Sequence, residues 1–364
     1  MIGVSGAFLL APMTGVQRFA YQLLLGLLAE RPDLAVRVYV PPLPAEKLPL
    51  VEELSHAGAE VVTAPKWAAN KQVFEQLALP RLAARDRVSQ LVHLNNNVCM
   101  VTRRPQVCFL YDVATVRLPD TYRRAYRAKF RFVLAAVRRR QASVATLSEF
   151  SRRELESVGV RVAAVIPAGE GSPMVIEAAA RPSENAGVPA VGDSLPDGPF
   201  ALILGSADPR KRVQDVVDAW PAVYRTLGLQ LVVVQGAAPT HRATTEHDDA
   251  AEVGVSRLHG RISDGDLAAV ARQSSMAVFA SCYEGGALAA QEILALGTPV
   301  LASDIPTFRE LLAAPVEFFA GLGQLTSACA AMLERNRPTA MSADEARASW
   351  RLSAKLFADQ LLQD

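Results

Sequence analysis

The feature of this sequence that most constrains its fold is a regular alternation of short apolar runs with segments of helical periodicity, which continues along nearly all of its 364 residues. Such alternation is typical of parallel β-sheets covered by helices on both faces, because each parallel strand needs a crossover segment to reach the next. The sequence therefore predicts an α/β protein with doubly wound sheets. The runs that predict strands are IGVSGAFL, AVRVYV, AEVVTA, QLVHL, QVCFLYD, SVATLS and VAAVIPA in the first half, and FALILGS, LQLVVVQG, SRLHGRI, MAVFAS and TPVLAS in the second.

The length of the chain predicts two domains, at roughly 150 residues for each. Residues 176–199 are rich in Pro, Gly and Ala without periodicity, and we interpret them as a linker. We therefore predict an N-terminal domain over residues 1–175, a C-terminal domain over 200–345, and a terminal amphipathic helix over 346–364 that crosses back to the first domain. Two doubly wound domains are expected to bind a ligand in a cleft between them. The apolar residues that predict the terminal helix are Trp350, Leu352, Leu356, Phe357 and Leu361.

Composition and simple motifs exclude several classes of protein. Half of the residues are apolar and 21% are charged, which excludes wholesale disorder, collagen and coiled coil. No apolar run reaches the roughly 18 residues of a membrane-spanning helix. The patterns G-x-G-x-x-G and G-x-x-x-x-G-K-[ST] are absent, which argues against a dinucleotide-dependent dehydrogenase and a P-loop NTPase.

The N-terminus and the cysteines both favour a cytoplasmic location. Residues 1–13 are apolar and no charge precedes Arg18, whereas a secretory signal begins with a basic region, so we interpret this segment as a buried first strand. The four cysteines contain no C-x-x-C pair, and neither a zinc site nor a disulfide framework is expected. These cysteines are Cys99, Cys108, Cys282 and Cys329.

Charge is distributed unevenly along the chain, although its net charge is only +1. Residues 1–170 contain 23 basic against 14 acidic residues, and residues 171–364 contain 15 against 23. The basic excess concentrates in residues 121–148, which contain eight Arg or Lys and no acidic residue. Apolar residues three or four positions apart predict a helix in this segment. Its apolar stripe comprises Tyr122, Tyr126, Phe130, Val133 or Leu134, and Val137.

Two interpretations of this basic helix stay open. The helix either docks on the protein core with a solvated basic face, or presents that face to anionic lipid headgroups or a phosphorylated acceptor. A nucleic-acid partner is not expected, because the sequence contains no zinc-finger, helix-turn-helix or aromatic–basic motif. The arginines that flank the apolar stripe are Arg123, Arg124, Arg127, Arg131 and Arg138.

Residues 276–311 carry the strongest chemical signal. An apolar strand leads to Glu284, two glycines follow, and Glu292 lies in a helical pattern. Carboxylates accept hydrogen bonds from sugar hydroxyls, glycines let backbone N–H groups approach a ligand, and the positive end of a helix favours a diphosphate. This combination predicts a site for a sugar phosphate, the alternative being two solvated glutamates on a surface helix.

The same segment resembles the retaining GT-B glycosyltransferases of family 4, whose E-x7-E motif has the spacing of Glu284 and Glu292. The resemblance implies a GT-B fold, in which two Rossmann-like, doubly wound domains face a central cleft. It covers nearly the whole chain. The other segments that carry it are TGVQRFAYQLL from residue 14, FLYDVATVRLPDTYRRAYRAKFRFVLAAVRRRQASVATLSEFSRREL from residue 109, FALILGSADPRKRVQDVVDAW from residue 200 and RASWRLSAK from residue 347.

For the donor, the resemblance implies that Glu284 contacts the sugar hydroxyls and that Glu292 contacts the nucleotide ribose. It also implies that Lys211 contacts the diphosphate, and Arg210 beside it is a second candidate cation. Many members of the family have an arginine where Ser206 stands here. The other implied donor contacts are Gly15, Val16, Gly205, Ser206, Ile262, Gly285, Gly286, Ala287 and Leu288.

In the first domain, the family pair His-Asp is replaced by Tyr111 and Asp112, both candidate catalytic residues. A phenol would there take over the role of the imidazole. His93, Asn95 and Asn96 resemble positions that line the acceptor side of the cleft. A structural polar cluster is the alternative for these three residues.

No cofactor or metal is predicted. Cleavage of the bond between sugar and diphosphate places negative charge on the leaving phosphate. Lys211, Arg210 and the helix N-terminus after Gly15 are the candidates that stabilise this charge. The resemblance implies that the same phosphate accepts the proton of the acceptor, so no metal is required.

Two groups of residues look like metal ligands. Asp264 and Asp266 resemble a D-x-D motif, but Ser263 before them and a helical pattern after them predict a helix cap. The second group fits no standard ligand spacing and is interpreted as a polar loop. Its members are His241, His247, Asp248 and Asp249.

Together these observations predict a retaining hexosyltransferase. We expect it to move mannose from GDP-mannose to a saccharide acceptor, lipid-linked, in the synthesis of a surface polysaccharide or glycoconjugate. We also expect it to act in the cytoplasm, peripherally at the inner face of the plasma membrane. The alternative is a catalytically weak partner subunit of a glycosyltransferase complex, which keeps the fold and the site.

Overall fold

The computed structural model describes residues 1–140, 142–180, 195–206, 208–236, 253–258, 262–313 and 315–362. The chain forms two compact units. Unit 1 comprises Met1–Val113, Ala128–Gly169 and Arg347–Asp364, and unit 2 comprises Ala114–Arg127 and Glu170–Ala346. Each unit is built around a parallel β-sheet with Rossmann-like order, so the predicted α/β class with two doubly wound domains is confirmed.

The sheet of unit 1 contains seven strands among the described residues. They are β1 (Ile2–Ser5), β2 (Val36–Val40), β3 (Glu60–Thr63), β4 (Gln90–His93), β5 (Gln106–Phe109), β6 (Ser143–Thr146) and β7 (Val162–Val165). All pairs are parallel, in the order β3-β2-β1-β4-β5-β6-β7. The opening apolar segment forms the buried strand β1, as predicted.

The helices up to residue 178 lie between these strands or follow them. They are α1 (Gly15–Glu30), α2 (Leu48–His56), α3 (Lys71–Val73), α4 (Leu79–Arg85), α5 (Ala114–Arg117), α6 (Arg124–Arg140), α7 (Glu149–Ser157) and α8 (Pro173–Ala178). A π-helical turn over Phe74–Ala78 joins α3 to α4. Such turns are rare and cluster at functional sites.

Unit 2 contains a six-stranded parallel sheet in the part of the chain that the structure describes. Its strands are β8 (Phe200–Ser206), β9 (Gln230–Gly236), β10 (Val255–Leu258), β11 (Met276–Phe279), β12 (Val300–Ser303) and β13 (Val316–Phe319), in the order β10-β9-β8-β11-β12-β13. The helices that follow β8 along the chain are α9 (Val213–Leu227), α10 (Asp264–Gln273), α11 (Leu288–Ala295), α12 (Pro306–Leu311), α13 (Leu325–Leu333) and α14 (Ala343–Leu361).

The strands β8, β9, β11 and β12 send alternate side chains into two separate cores. In β8, Leu202 joins the core on one face of the sheet, while Ala201 and Ile203 join the core on the other. Helices α9 and α13 cover the second of these faces, with Trp220 fully buried there. A strand that is buried on both faces must be apolar at every position, which is why these strands appear in the sequence as continuous apolar runs.

Strand order reverses once in each sheet, beside β1 in unit 1 and beside β8 in unit 2. In unit 1 the chain moves outward from β1 through β2 and β3, then returns to the other side of β1 with β4. In unit 2 it does the same from β8, and returns with β11. Ligands of doubly wound sheets bind beyond the carboxyl ends of the strands at such switch points. This rule selects the segments after β1, β4, β8 and β11 as candidate sites.

The unit boundaries differ in detail from the predicted domain boundaries. Residues 114–127 group with unit 2, although the prediction placed them in the first domain. Helix α8 covers the start of the predicted linker, and Ile176 packs in a core of unit 2. Residues 181–194 of the linker lie outside the described residues.

The predicted basic helix is shorter than residues 121–148. Helix α6 buries Phe130, Val133, Leu134 and Val137, which confirms most of the stripe. Tyr122 precedes the helix, and the residues after it form β6. No helix among the described residues has the length and apolarity needed to cross a bilayer.

The terminal helix α14 joins unit 1 from Arg347 onward. Trp350, Phe357 and Leu361 are buried as predicted, but Leu352 and Leu356 are exposed. The buried side of the helix is therefore narrower than the apolar pattern suggested, because two of its five apolar positions point to solvent.

Candidate functional site

The first loop of the site follows β8. At Gly205 a Cβ atom would lie 2.1 Å from Cγ2 of Val213, so only glycine lets the strand pass the start of α9. Ser206 ends the strand. Buried Asp208 then caps a short 3-10 turn over Pro209–Lys211, its carboxylate accepting from the backbone N–H of Arg210 at 3.0 Å. The cap fixes the two cations that follow it.

Arg210 and Lys211 occupy very different environments although they are adjacent. Arg210 Nη1 donates to Oε2 of Glu284 at 2.9 Å, and its Nε donates to Asp208 at 3.1 Å. Lys211 is half-buried at the end of the turn. Among the described residues, no hydrogen bond or ion pair involves the Lys211 ammonium group. The structure thus leaves Lys211, rather than Arg210, available to an anionic ligand.

The second loop of the site follows β11 and holds Glu284. Ser281 donates its hydroxyl to Glu284 Oε1 at 2.8 Å, and Thr307 donates to the Glu284 backbone oxygen at 2.6 Å. The side chain of Glu284 is 16% exposed. Its carboxylate is therefore held in one orientation while part of it stays open to solvent.

Helix α11 begins directly after this loop. Gly285 is buried and Gly286 half-buried, buried Ala287 precedes the helix, and Leu288 is its first residue. Glu292 lies half-buried in the same helix, one turn further along. The two predicted carboxylates therefore stand before and after the positive end of α11, as the sequence pattern indicated.

The acidic turn before α10 is a helix cap. Ser263 accepts a hydrogen bond from the backbone N–H of Asp266 at 3.1 Å and donates to the Asp266 carboxylate at 2.7 Å. Asp264 is the first residue of the helix, so the cap interpretation of the D-x-D pattern is confirmed. Ile262, half-buried, directly precedes the cap.

The described residues contain no cluster of three or more His, Cys, Asp or Glu side chains suited to a metal. The four residues of the predicted polar loop lie outside the described residues. They are His241, His247, Asp248 and Asp249.

In unit 1, Gly15 and Val16 form the start of α1, after β1 at the switch point of its sheet. Both residues are half-buried. The first N–H groups of a helix have no acceptor within it, so this position favours an anion. Contact of Gly15 and Val16 with a donor stays a prediction.

Tyr111 is part of the core of unit 1. Its phenol is buried and donates to the backbone oxygen of Leu94 at 2.7 Å, and its ring packs edge-on against Phe19. Burial raises the pKa of Tyr111 well above its usual value. The phenol proton is therefore engaged in a hydrogen bond within the fold, and a catalytic role for Tyr111 stays a prediction. Asp112 follows it, half-buried.

The predicted acceptor residues lie at and after the carboxyl end of β4. His93 is fully buried, its Nε2 lies 3.0 Å from Oε1 of Gln106, and burial lowers its pKa to about 4. Asn95 is buried and donates to Glu75 at 2.8 Å. Asn96 is half-buried with a left-handed φ of 52°, and its side chain accepts from the backbone N–H of Tyr111 at 3.0 Å.

These contacts are those of a structural polar cluster, which was the alternative for the group. Two of its buried atoms, Oδ1 of Asn95 and Nδ1 of His93, have no hydrogen-bond partner among the described residues. Contact of the group with an acceptor stays a prediction.

Sequence reasoning missed the residues that hold these groups in place. Glu75 is fully buried on the π-helical turn and accepts from both Asn95 and Asn97. Asp208, Ser281 and Thr307 likewise fix the loops around Glu284. The aspartate two residues before Arg210 is a turn-capping signal that the sequence does contain, whereas Glu75 lies 20 residues from Asn95 and carried no local signal.

Comparisons with known proteins bear on this arrangement. Residues 190–321 match the family model of glycosyl transferases group 1, just over a third of the chain. This range contains both loops and both carboxylates described above. A comparison with curated proteins found no match.

Solved structures with the same architecture cover nearly the whole chain. HepE from Anabaena, solved with UDP and glucose, matches with a TM-score of 0.60 and 15% identity over 99% of this chain and 95% of its own. WaaG, a glycosyltransferase involved in lipopolysaccharide biosynthesis, matches with a TM-score of 0.59 and 15% identity over 100% of this chain and 96% of its own. Sucrose-phosphate synthase from Thermosynechococcus elongatus matches with a TM-score of 0.57 and 17% identity over 99% of this chain and 94% of its own. Residues 190–321 are thus similar to glycosyl transferases group 1, and the fold of the chain is that of the GT-B glycosyltransferases.

Proposed function

We propose that this protein transfers a hexose from a nucleotide diphosphate sugar to a saccharide acceptor. The observation that carries the proposal is the arrangement of Glu284 and Glu292 around the start of α11, beside β8 and β11 at the switch point of unit 2. That arrangement lies within the segment matched by the group 1 family model.

The donor makes three kinds of contact in this proposal. Glu284 accepts hydrogen bonds from the sugar hydroxyls, and Glu292 accepts them from the ribose. Lys211 and the N–H groups at the start of α11 bind the diphosphate, since both favour negative charge. Other proposed donor contacts are Gly15, Val16, Gly205, Ser206, Ile262, Gly285, Gly286, Ala287 and Leu288.

The reaction breaks the bond between the anomeric carbon and the diphosphate oxygen. Negative charge develops on that oxygen, and the Lys211 ammonium group stabilises it in the transition state. The departing phosphate oxygen takes the proton of the acceptor hydroxyl, whose oxygen bonds to the anomeric carbon on the face that the phosphate leaves. This is a retaining transfer, and it needs no metal.

The finer parts of the proposal concern the two substrates. The D-P-R-K loop resembles that of mannosyl- and rhamnosyltransferases, so GDP-mannose is our proposed donor. The proposed acceptor is lipid-linked, in the synthesis of a surface polysaccharide or glycoconjugate at the cytoplasmic face of the plasma membrane. The exposed arginines of α6, with exposed Phe132 among them, support contact with an anionic surface.

A panel of nucleotide sugars tests the donor class. Bound ligand raises the melting temperature, because it stabilises the folded state by RT ln(1 + [L]/Kd). GDP-mannose, UDP-glucose and dTDP-rhamnose are added to the wild type and to Glu284→Gln and Glu292→Gln. We expect one donor to raise the melting temperature of the wild type and to be hydrolysed slowly. Each variant should lose most of this rise in melting temperature.

Glu334→Gln is the matched control, since Glu334 is an exposed glutamate of the same unit. It should respond to the donor as the wild type does. Absence of any shift and any hydrolysis across the panel would contradict the proposal.

A second candidate function is a partner subunit that binds the donor but turns it over weakly. The buried phenol of Tyr111 favours it, because the position that the related family fills with histidine here offers no proton to a substrate. Donor binding without hydrolysis or transfer by the pure protein would support this second candidate over the enzyme.

A further inference from the structure

Arg210 joins the loops that follow β8 and β11. Its Nη1 donates to Oε2 of Glu284 and to the backbone oxygen of Tyr283, both at 2.9 Å, and its Nε donates to Asp208. Its own backbone oxygen accepts from the N–H of Cys282 at 2.9 Å. Arg210 therefore holds the second loop by its side chain and by its backbone.

The positive charge of Arg210 is already balanced by its neighbours. Asp208 and Glu284 lie at 3.1 Å and 2.9 Å from its guanidinium nitrogens, with side chains 2% and 16% exposed. One guanidinium between two carboxylates forms a group of net charge −1, which does not attract a diphosphate. Lys211 has no such partner among the described residues.

We propose that Arg210 is a positioning residue for Glu284 and does not itself bind the diphosphate, which leaves that contact to Lys211. The inference rests on the proposed function, because it takes Glu284 to contact the donor sugar. Arg210 holds Oε2 and Ser281 holds Oε1, so the remaining lone pairs of the carboxylate have a fixed direction for sugar hydroxyls. A lysine cannot reproduce the planar fork that serves three acceptors at once.

The test distinguishes contacts with the donor sugar from contacts with the diphosphate. Dissociation constants are measured by titration calorimetry for UDP and UDP-glucose, and for GDP and GDP-mannose, with the wild type, Arg210→Met, Arg210→Lys, Glu284→Gln and Lys211→Met. A positioning role predicts that Arg210→Met raises the Kd of the nucleotide sugar about tenfold and leaves that of the nucleoside diphosphate within about threefold. Glu284→Gln should do the same, and Lys211→Met should weaken both ligands.

A double-mutant cycle tests whether Arg210 acts through Glu284. The double variant Arg210→Met/Glu284→Gln should bind the nucleotide sugar no more weakly than the weaker-binding of the two single variants, because both changes remove the same interaction. Arg210→Lys should lose the sugar preference as well. Because Arg210→Met removes the guanidinium that pairs with buried Asp208, Arg210→Met/Asp208→Asn is measured alongside it.

Arg212→Met is the matched control. Arg212 belongs to the same loop and pairs with half-exposed Asp215, so its loss should change neither dissociation constant. Equal weakening of nucleotide sugar and nucleoside diphosphate in Arg210→Met, or additive effects in the double variant, would overturn the positioning role while leaving the proposed function in place. If the wild type bound none of the four ligands, the proposed function itself would be contradicted.

Discussion

Tyr111 donates its phenolic hydrogen to the backbone oxygen of Leu94 at 2.7 Å, inside the core of unit 1. The bond ties the segment after β5 to the segment after β4. The phenolic proton, which a catalytic role would require, is engaged in this hydrogen bond.

Replacing Tyr111 by phenylalanine tests this structural role. Tyr111→Phe leaves the Leu94 oxygen buried without a donor, so we expect a loss of about 1–2 kcal/mol in unfolding free energy. Donor turnover should stay within about twofold of wild type, since the phenol is not part of the chemistry. Urea unfolding and donor consumption measure the two quantities.

Tyr224→Phe serves as the comparison, because no hydrogen bond of its hydroxyl occurs in the described part of the chain. It should leave stability unchanged. A folded Tyr111→Phe protein that has lost more than about tenfold in turnover would restore Tyr111 to the catalytic residues.

Lys211 is expected to stabilise the leaving diphosphate. Lys211→Ala should lower turnover roughly 10²-fold, the usual scale for one charge donor at a transition state, with little effect on stability because Lys211 has no partner among the described residues. Initial rates and thermal melting provide the measurements. Arg212→Met, in the same loop, should retain wild-type turnover. Retention of more than about a third of the activity in folded Lys211→Ala would remove Lys211 from the proposed mechanism.

Metal independence is a separate expectation of the proposed mechanism. Turnover should survive an excess of EDTA, because Lys211 and helix dipoles supply the positive charge that a metal supplies in other enzymes. Asp264→Asn and Asp266→Asn should alter the stability of α10 and leave turnover intact, since these residues belong to the helix cap. Loss of activity in EDTA that Mn²⁺ or Mg²⁺ restores would contradict this expectation.

His93 should make the protein less stable in mild acid. Burial lowers its pKa from 6.5 to about 4, so between these values the unfolded chain binds a proton that the folded chain does not. Stability is then lost as the pH falls below 6.5, by about 2 kcal/mol between pH 7 and pH 5 for this one group.

His93→Gln should remove that part of the pH dependence. Urea unfolding at pH 7 and pH 5 measures it, and His56→Gln is the control because His56 is exposed. Equal pH dependence in wild type and His93→Gln would show that the imidazole titrates normally in the folded protein.

The basic face of α6 and the residues before it should bind anionic vesicles at low salt. Each Lys or Arg near such a surface contributes on the order of 1 kcal/mol, and binding should weaken steeply as the screening length falls to about 8 Å at 0.15 M salt. Reversing Arg123, Arg124 and Arg127 to Glu should abolish vesicle binding and lower activity on a lipid-linked acceptor, with donor hydrolysis unchanged. Vesicle sedimentation at increasing salt is the measurement.

Reversal of Arg87, Arg153 and Arg161 is the matched control. These three arginines are exposed and belong to unit 1, and their reversal changes the net charge by the same amount. Failure of the wild type to bind vesicles at about 20 mM salt, where screening is weak, would instead favour a solvated face.

The local pattern of the sequence was sufficient to predict the architecture and the position of two carboxylates within it. Continuous apolar runs predict strands buried on both faces, and the structure places Leu202 and Ile203 in cores on opposite faces of one sheet. The spacing of Glu284 and Glu292 across a glycine pair predicts their place around the start of a helix. Both inferences depend on periods of a few residues, which a single sequence displays directly.

Tertiary structure decided which side chains are available to a ligand. Arg210 and Lys211 are both candidate cations in the sequence, but only the fold shows that Arg210 binds a carboxylate 74 residues away. The fold also places the Tyr111 hydroxyl beside the Leu94 oxygen, and it brings Glu75 together with two asparagines of another segment. Partners of this kind are brought together by the packing of separate elements, and the short-range periodicity of the sequence does not reveal them. The sequence by itself determined where polar groups could gather, and only the folded contacts determined which of those groups are already bonded to the protein.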